Sequence, residues 1–480
     1  MKPQNSHYYL LMTLVVLNLS ACTSLIKSDP KPPIPDIAKI ESRLETNSHS
    51  IESNWWESFE DPQLNRLIEL GVGNSPSLKV ANERVQASQA LLNSSRSVLL
   101  PQVGLTGQVN RQQLSQNYIF IPGVMDRISN YGFVAGTFSW SLDLWGKNEK
   151  LFEASKYRLK GALLESELSR LNLQIAIVAA YAEFDIALKT RDLMKRVNTI
   201  HQELLVIYKI RQQNGLIDQL VVEQEAIEVE RSTAQLAMAQ SVVDMYATQL
   251  AILTGNSPSW ASNIATPKIR FPEKSLARNQ QIPSDLIARR PDLQALLSQI
   301  DASGLEYSAA KLDYLPSFDL QANVGYQSFG LDRFLSSSSQ FFSIGPVLNL
   351  PIFNGGRIDA NVAAKKATND EVIARYHEAL LQALKQSADG ITKVKFATQQ
   401  LHSQSRATEK SQFIYDQLVT RQKNGLISNE KLLQNELLLI AQKQLLEQTN
   451  LNAESSYLFL IQALGGGFTS PTQELKSTTK

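Results

Sequence analysis

Arg211-Gln-Gln-Asn-Gly-Leu-Ile217 returns as Arg421-Gln-Lys-Asn-Gly-Leu-Ile427, about 210 residues further along the chain. Self-similarity at a fixed spacing decides architecture before any local pattern is read. The shift extends outward from this echo. Gly146 falls on Gly356, Lys147 on Arg357, and Gly255 on Gly465. Upstream, with a slightly different shift, Pro76 pairs with Pro291, Leu78 with Leu293 and Pro101 with Pro316. The chain is therefore two copies of one unit of about 200 residues, too long for a small solenoid repeat. The units are read as residues 61–256 and 284–466, joined by a linker at 257–283 and followed by a tail at 467–480.

Within each unit the hydrophobic period changes twice. A helix is expected from Pro76 to Leu100, stopping at Pro101, and its copy from Pro291 to Leu315, stopping at Pro316. The period then becomes two. Val103, Leu105 and Val109 alternate with Thr106, Gln108 and Asn110; in the copy Phe318, Leu320, Ala322, Val324 and Tyr326 alternate with polar neighbours. Polar loops follow at 112–130 and 328–339. A second alternating segment returns, carrying Phe138, Trp140, Leu142 and Leu144 in one copy. In the other it carries Phe342, Ile344, Leu348, Leu350 and Ile352. The expected strands are about 102–111, 131–145, 317–328 and 340–353. Pro346 interrupts the last of them, where a central strand would lose a ladder bond.

From Lys147 to Asn214 there is no proline. Ile186, Leu193, Ile200 and Ile207 recur every seventh residue, with Val197 and Leu204 on the same seam, a coiled-coil pattern. The return limb of the second copy repeats it with Leu432, Leu439, Leu446, Ala453 and Leu460. An ordinary bundle core shares this period but not the length. Some sixty residues of helix span roughly 100 Å. The return limb from Leu216 to Leu253 and the Pro76–Leu100 helix together give about the same, so one long helix is matched by two stacked end to end. Gly215 and Gly425 close the hairpin tips with positive φ.

The N-terminus carries an address. Lys2 precedes an apolar stretch from Tyr8 to Leu19, followed by Leu19-Ser20-Ala21-Cys22. This reads as a signal peptide over residues 1–21. Its ending resembles the bacterial lipobox, in which Cys22 receives lipid; the alternative is an ordinary signal peptide with an incidental cysteine. Cys22 is the only cysteine in the chain. Several acyl chains would anchor it firmly. Residues 22–60 then form a proline-rich tether and a segment containing Trp55-Trp56, expected to pack rather than bind a ligand. Asp61 and Pro62 read as the cap and first residue of a short helix.

No other run offers 18 continuous apolar residues, so any membrane crossing falls to strands. Alternation of apolar and polar residues suits either a water-filled barrel or a soluble sandwich. The lipoprotein address and the long helices favour the barrel. Four strands cannot close one, since about eight is the smallest count that does. Three chains would supply twelve, so the chain predicts its own cyclic oligomer.

These pieces resemble the TolC-like outer-membrane efflux factors, in their NodT-type lipoprotein branch. The resemblance covers about residues 55–467. It rests on Trp55-Trp56…Phe59-x-Asp61-Pro62-x-Leu64, Ser141-Leu-Asp-Leu-Trp-Gly-Lys147 and Leu350-Pro-Ile-Phe-Asn-Gly-Gly-Arg357. The most specific run is Ile282-Pro-Ser-Asp-Leu-Ile-Ala-Arg-Arg-Pro-Asp292. It implies a mainly α fold with a membrane β-barrel. Helical hairpins form an α-barrel in a homotrimer, and four strands per chain complete a shared 12-stranded barrel. It further implies a passive duct for drugs or other small toxic compounds. That duct would sit in the outer membrane of a Gram-negative bacterium, amid its lipid, and extend into the periplasm. It would dock on a periplasmic adaptor (membrane fusion protein) that serves an inner-membrane pump of the resistance-nodulation-division type. Gly215, Leu216, Ile217, Gly425, Leu426 and Ile427 would be the adaptor-contact positions. The family often rings its closed aperture with acids just past the second tip. Here Lys431 and Gln434 stand at those aperture-lining positions, and Val221 and Gln224 in the first repeat, so an acidic ring is not carried over unless Glu430 or Glu436 substitutes.

Composition points away from several other classes. The formal net charge of +1 calls for no nucleic acid. The five histidines, at 7, 49, 201, 377 and 402, lack metal-ligand spacing, and no phosphate loop, catalytic site or cofactor motif is present. A duct for secreted polypeptide in a type I system, and a lipid-tethered coiled-coil scaffold without a pore, remain as alternatives.

Overall fold

A computed structural model describes residues 54–115, 117, 127–270 and 290–468. The signal peptide, Cys22, the proline-rich tether, most of the first strand loop, Ile282–Arg289 and the end of the tail lie outside the described residues. The elements in order are α1 (Pro62–Asn74), α2 (Pro76–Ser97), β1 (Gln102–Gln113) and β2 (Ile128–Ser141). The 67-residue α3 (Lys147–Gln213) and α4 (Gln219–Leu253) complete the first half. The second half repeats the series with α5 (Pro291–Lys311), β3 (Ser317–Phe329), β4 (Gln340–Asn349), α6 (Arg357–Lys423) and α7 (Asn429–Ala463). The chain divides into two compact units. One takes residues 85–162 and 296–376; the other takes the described parts of 35–84, 163–295 and 377–480.

The first unit holds an antiparallel sheet in the order β1-β2-β3-β4, so the two copies meet at β2–β3. The register aligns Val103, Phe138, Ala322 and Ile344 in one row, and Leu105, Gly136, Val324 and Phe342 in another. These rows share a face because side chains alternate along a strand. The intervening row is Gly104, Thr137, Asn323 and Ser343. One face is thus apolar; the other is polar at this level and carries Gln108 and Gln327, with Tyr131 against Phe329 and Phe133 against Phe341 toward one end. The apolar face is open: Val103 is 81% exposed, Leu105 79% and Phe342 80%. Pro346 sits opposite Leu320 on β4, an edge strand, where its missing N–H costs no ladder bond on the free side.

Two strands end earlier than their alternation suggests. β2 stops at Ser141; Leu142 still donates its N–H to Phe318 O (3.0 Å), but Leu144 leaves the sheet. Asp143 takes a left-handed backbone, φ 41°, and its carboxylate accepts the N–H groups of Asn148 and Glu149 at 3.0 and 2.9 Å. It caps α3, whose first donors otherwise lack partners. Trp145 donates its indole N–H to the carbonyl of Pro316 (2.7 Å), and Lys147 pairs with Asp313. β4 stops at Asn349, leaving Leu350 and Ile352 outside, because Pro351 cannot extend the ladder. Likewise α2 ends at Ser97 and α5 at Lys311, short of the residues before Pro101 and Pro316, which proline pushes out of helical geometry.

In the second unit a core forms around Phe59, Leu64, Ile68, Ile177, Tyr181, Leu250, Tyr457 and Leu458. The apolar stretch of α3 is long enough for a bilayer, but two-thirds of it is buried within the chain. Trp55 is buried and stacks edge-on against Trp56 and Phe59, a packing role. Asp61 caps α1 through Gln63 N–H (2.9 Å). Its other oxygen accepts the phenol of buried Tyr181 (2.8 Å) and the N–H of Lys268 (2.7 Å), tying the start of the linker to the core. Burial and then the Asp61 carboxylate push the Tyr181 hydroxyl well above the usual tyrosine range.

Each return helix ends against the chain just ahead of the short helix of its own repeat, α2 or α5. Gly255, φ 75°, lies so close to Asn74 that a Cβ would meet its carbonyl oxygen at 2.6 Å. Gly465, φ 82°, meets Arg290 in the equivalent place. Arg290 grips Asp292 with two bonds (3.1 and 2.8 Å) and donates to the carbonyl of Ala463 (3.0 Å), closing the end of α7.

Replacing Asp61 by Ala removes the cap and orphans the buried Tyr181 hydroxyl and the partly buried Lys268 N–H. The expected loss is about 3 kcal/mol, against about 1 kcal/mol for Tyr181→Phe, which leaves Asp61 its other partners. Chemical-denaturation midpoints of the two variants check the difference.

Candidate functional site

The two hairpin tips are built by the same backbone device. α3 ends where Gly215 takes φ +70°, and α6 where Gly425 takes φ +70°. Gly215 N–H donates to Gln212 O and Leu216 N–H to Arg211 O, both at 2.9 Å. Gly425 and Leu426 repeat this with Gln422 and Arg421 at the same distances. This is the Schellman closure, which satisfies the last helical carbonyls and needs a left-handed residue after the cap. A Cβ on either glycine would meet nothing within 4 Å, so the requirement is conformational only. The chain then restarts as a helix under a new cap. Asp218 accepts Leu220 N–H (3.3 Å) and Ser428 accepts Lys431 N–H (3.2 Å).

The turn separates the two apolar residues that follow each glycine. Leu216 is 72% exposed and Leu426 71%, with no packing role to explain them. Ile217 instead packs on a small core of Ile200, Leu204, Tyr208, Leu433 and Ile440, and Ile427 is half-buried. Of the six expected contact positions, then, the leucines and glycines are presented outward, while Ile217 holds its hairpin together.

Behind the tips a polar network joins the first repeat to the second. The Tyr208 hydroxyl donates to Glu430 (3.1 Å), Arg211 pairs with the same carboxylate, and Gln434 donates to Tyr208 and Glu430 at 3.3 and 3.4 Å. Two turns deeper, Arg196 forks onto both oxygens of Glu436 (2.7 and 2.8 Å) and reaches Glu203 (3.0 Å). Burial opposes the Glu436 charge, but the Arg196 bonds and charge win and hold its carboxyl below the usual range. Burial, then Glu430, raises the Tyr208 hydroxyl. Within the first hairpin Asn198 donates to Ser232 (3.0 Å) and Thr233 (2.8 Å), and His201 meets Glu225 at 2.8 Å.

These contacts bear on the expected aperture positions. Gln434 spends its amide on Tyr208 and Glu430, and Glu430 and Glu436 are each matched by an arginine, so neither acid stands free. Gln224 and Lys431 are exposed. No motif in the sequence marks Arg196–Glu436, whose partners lie 240 positions apart.

The comparisons with known proteins agree with this architecture. The family model described as "Outer membrane efflux protein" matches twice, over residues 67–256 and 282–466. The multidrug resistance outer membrane protein MdtP of Escherichia coli O6:H1 is 25% identical over 468 residues, covering 94% of each chain. The toluene efflux pump outer membrane protein TtgC of Pseudomonas putida is 28% identical over 430 residues, covering 88% of this chain and 87% of its own. Among solved structures, the outer membrane protein VceC of Vibrio cholerae is 28% identical with a TM-score of 0.77, covering 87% of this chain and all of that one. The Campylobacter jejuni CmeC outer membrane channel shares the fold, with a TM-score of 0.80 over 94% of this chain and 96% of its own at 23% identity. A duplicated helical-hairpin unit, a two-faced sheet joining the copies and a double match to one model together make this chain a member of the outer membrane efflux protein family.

Proposed function

We propose that the chain is the outer-membrane duct of a tripartite efflux system, working as a homotrimer that exports drugs or other small toxic compounds. The observation that carries this reading is the sheet. Its apolar face is exposed, its other face mixes a polar band with two aromatic pairs, and both edge strands, β1 and β4, keep a free side. In lipid such edges cost several kcal/mol for each unsatisfied backbone group. Edge-to-edge closure with two further copies gives twelve strands, an apolar girdle and a wet lumen. The relatives named as parts of multidrug and toluene efflux systems support the cargo class.

The helices support the same assembly. On α4, Met238 (69% exposed), Met245 (63%) and Ile252 (54%) recur at seven-residue spacing. That stripe matches a coiled-coil seam awaiting another helix, and a neighbouring copy supplies one. Leu216 and Leu426 at the tips are the surface for a periplasmic adaptor, which connects the duct to an inner-membrane pump of the resistance-nodulation-division type. Cys22 carries lipid and tethers the mature chain to the outer membrane.

Native mass measurement in detergent should give a trimer, and planar bilayers should show single-channel conductance. A monomer without conductance would leave the scaffold reading in its place. Leu426→Asp puts a charge on the adaptor surface without touching the helix closure; export of a dye should fall at least tenfold while the trimer persists. Export unchanged would remove the tip from the docking surface. Cys22→Ser should abolish labelling by radioactive palmitate; persistent labelling would mean the lipid sits elsewhere.

A further inference from the structure

Where α3 packs on α7 in the second unit, two carboxylates share one ammonium and a third, Glu454, lies within reach of their charges without a partner of its own. Asp185 and Lys189 come from α3, Glu447 and Glu454 from α7. Lys189 lies 2.7 Å from Asp185 and 3.6 Å from Glu447. Asp185 is 5% exposed and Glu454 6%. One oxygen of Glu454 is buried with no hydrogen-bond partner. Among the described residues, Lys189 is the one cation whose charge acts on Glu454. Lys393 of α6 lies over the ring of Phe459, 4.1 Å from its centroid, and Glu183 of α3 is set beside Tyr246 of α4.

We propose that Glu454 is a proton-operated brace between the two repeats. Protonated, it is a neutral group that the seam can bury. Ionised, it leaves two negative charges in excess around Lys189, with one carboxylate oxygen unsolvated. The seam then admits water or parts. A buried carboxylate without a matched cation is the costly case, since its desolvation is not repaid. The direction of titration agrees with the geometry. Burial first, and then the neighbouring Asp185, push the Glu454 carboxyl up to about 7, with Lys189 opposing. A carboxyl whose folded value exceeds its unfolded one favours the folded state at low pH. That contribution shrinks as pH climbs from the ordinary 4.5 and is gone once it passes about 7. The brace is independent of cargo, partners and trimer formation, so it stands or falls apart from the duct.

The test is thermal unfolding of the full-length protein in detergent across pH, for the native chain and Glu454→Gln, which keeps the shape but cannot ionise. The native Tm should fall by about 5 °C between roughly pH 5 and pH 8 relative to the variant, the curves meeting at the acid end. Parallel curves would overturn the proposal. Lys189→Met removes the one opposing charge, so the native fall should move to higher pH; no movement would equally overturn it. Should Glu454→Gln fail to fold, infrared spectra of the unmodified protein decide. A carboxylic-acid band should persist at about pH 6 and vanish by about pH 8.5, where ordinary carboxyls are ionised throughout. No such band at about pH 6 would refute a buried proton.

Discussion

Backbone groups at the rim of an open sheet must find partners, and most of this molecule can be understood from that demand. The sheet has two unpaired edges and an apolar face turned outward. In water that combination invites aggregation, and in lipid it is untenable for a lone chain. Only closure by further strands, arranged around a symmetry axis, removes the edges without changing the sequence. The row of Gly104, Thr137, Asn323 and Ser343 gives the other face its polar band.

The helical part faces a different problem. Long helices with polar surroundings bury little apolar surface, so side-chain identity at each seam decides which helices stay together. Between the repeats the tip region relies on paired charge: Arg196 on Glu436, and Arg211 and Tyr208 on Glu430. Each acid there is matched. Around Glu454 the matching fails, because the nearby lysine is already shared by Asp185 and Glu447. The same α3–α7 seam is therefore held by satisfied polar groups near the tips and strained by an unsatisfied one further along.

The glycine echo made the duplication and both turns legible, because a Schellman closure leaves a local signature: an isolated Gly followed by an apolar residue. Strand alternation was equally visible, since burial on one face imposes a period of two. Strand ends were not. Leu142, Leu144, Leu350 and Ile352 continue the alternation, yet Asp143 and Pro351 stop the ladder by capping and by removing a donor. The two tip isoleucines look like their leucine neighbours in sequence, and only packing separates Ile217 from Leu216. Arg196, Arg290 and Glu454 could not be singled out, because their partners lie on other helices and charge pairing carries no fixed spacing. The family resemblance placed aperture positions at Gln434 and Lys431, but the hydrogen bonds of Gln434 follow from Tyr208, which no motif marks.

The pairing of β2 with β3 sets a schedule for biogenesis. Ser141 and Asp319 are partners, so the first hairpin must wait about 180 residues of synthesis for its neighbour. At ordinary translation rates that interval is roughly 10 to 40 seconds. Throughout it, β1 and β2 carry Val103, Leu105 and Phe138 with no second hairpin to cover either rim. A chain built this way depends on something that shields nascent strands in transit, and the requirement comes from its topology rather than from any one residue.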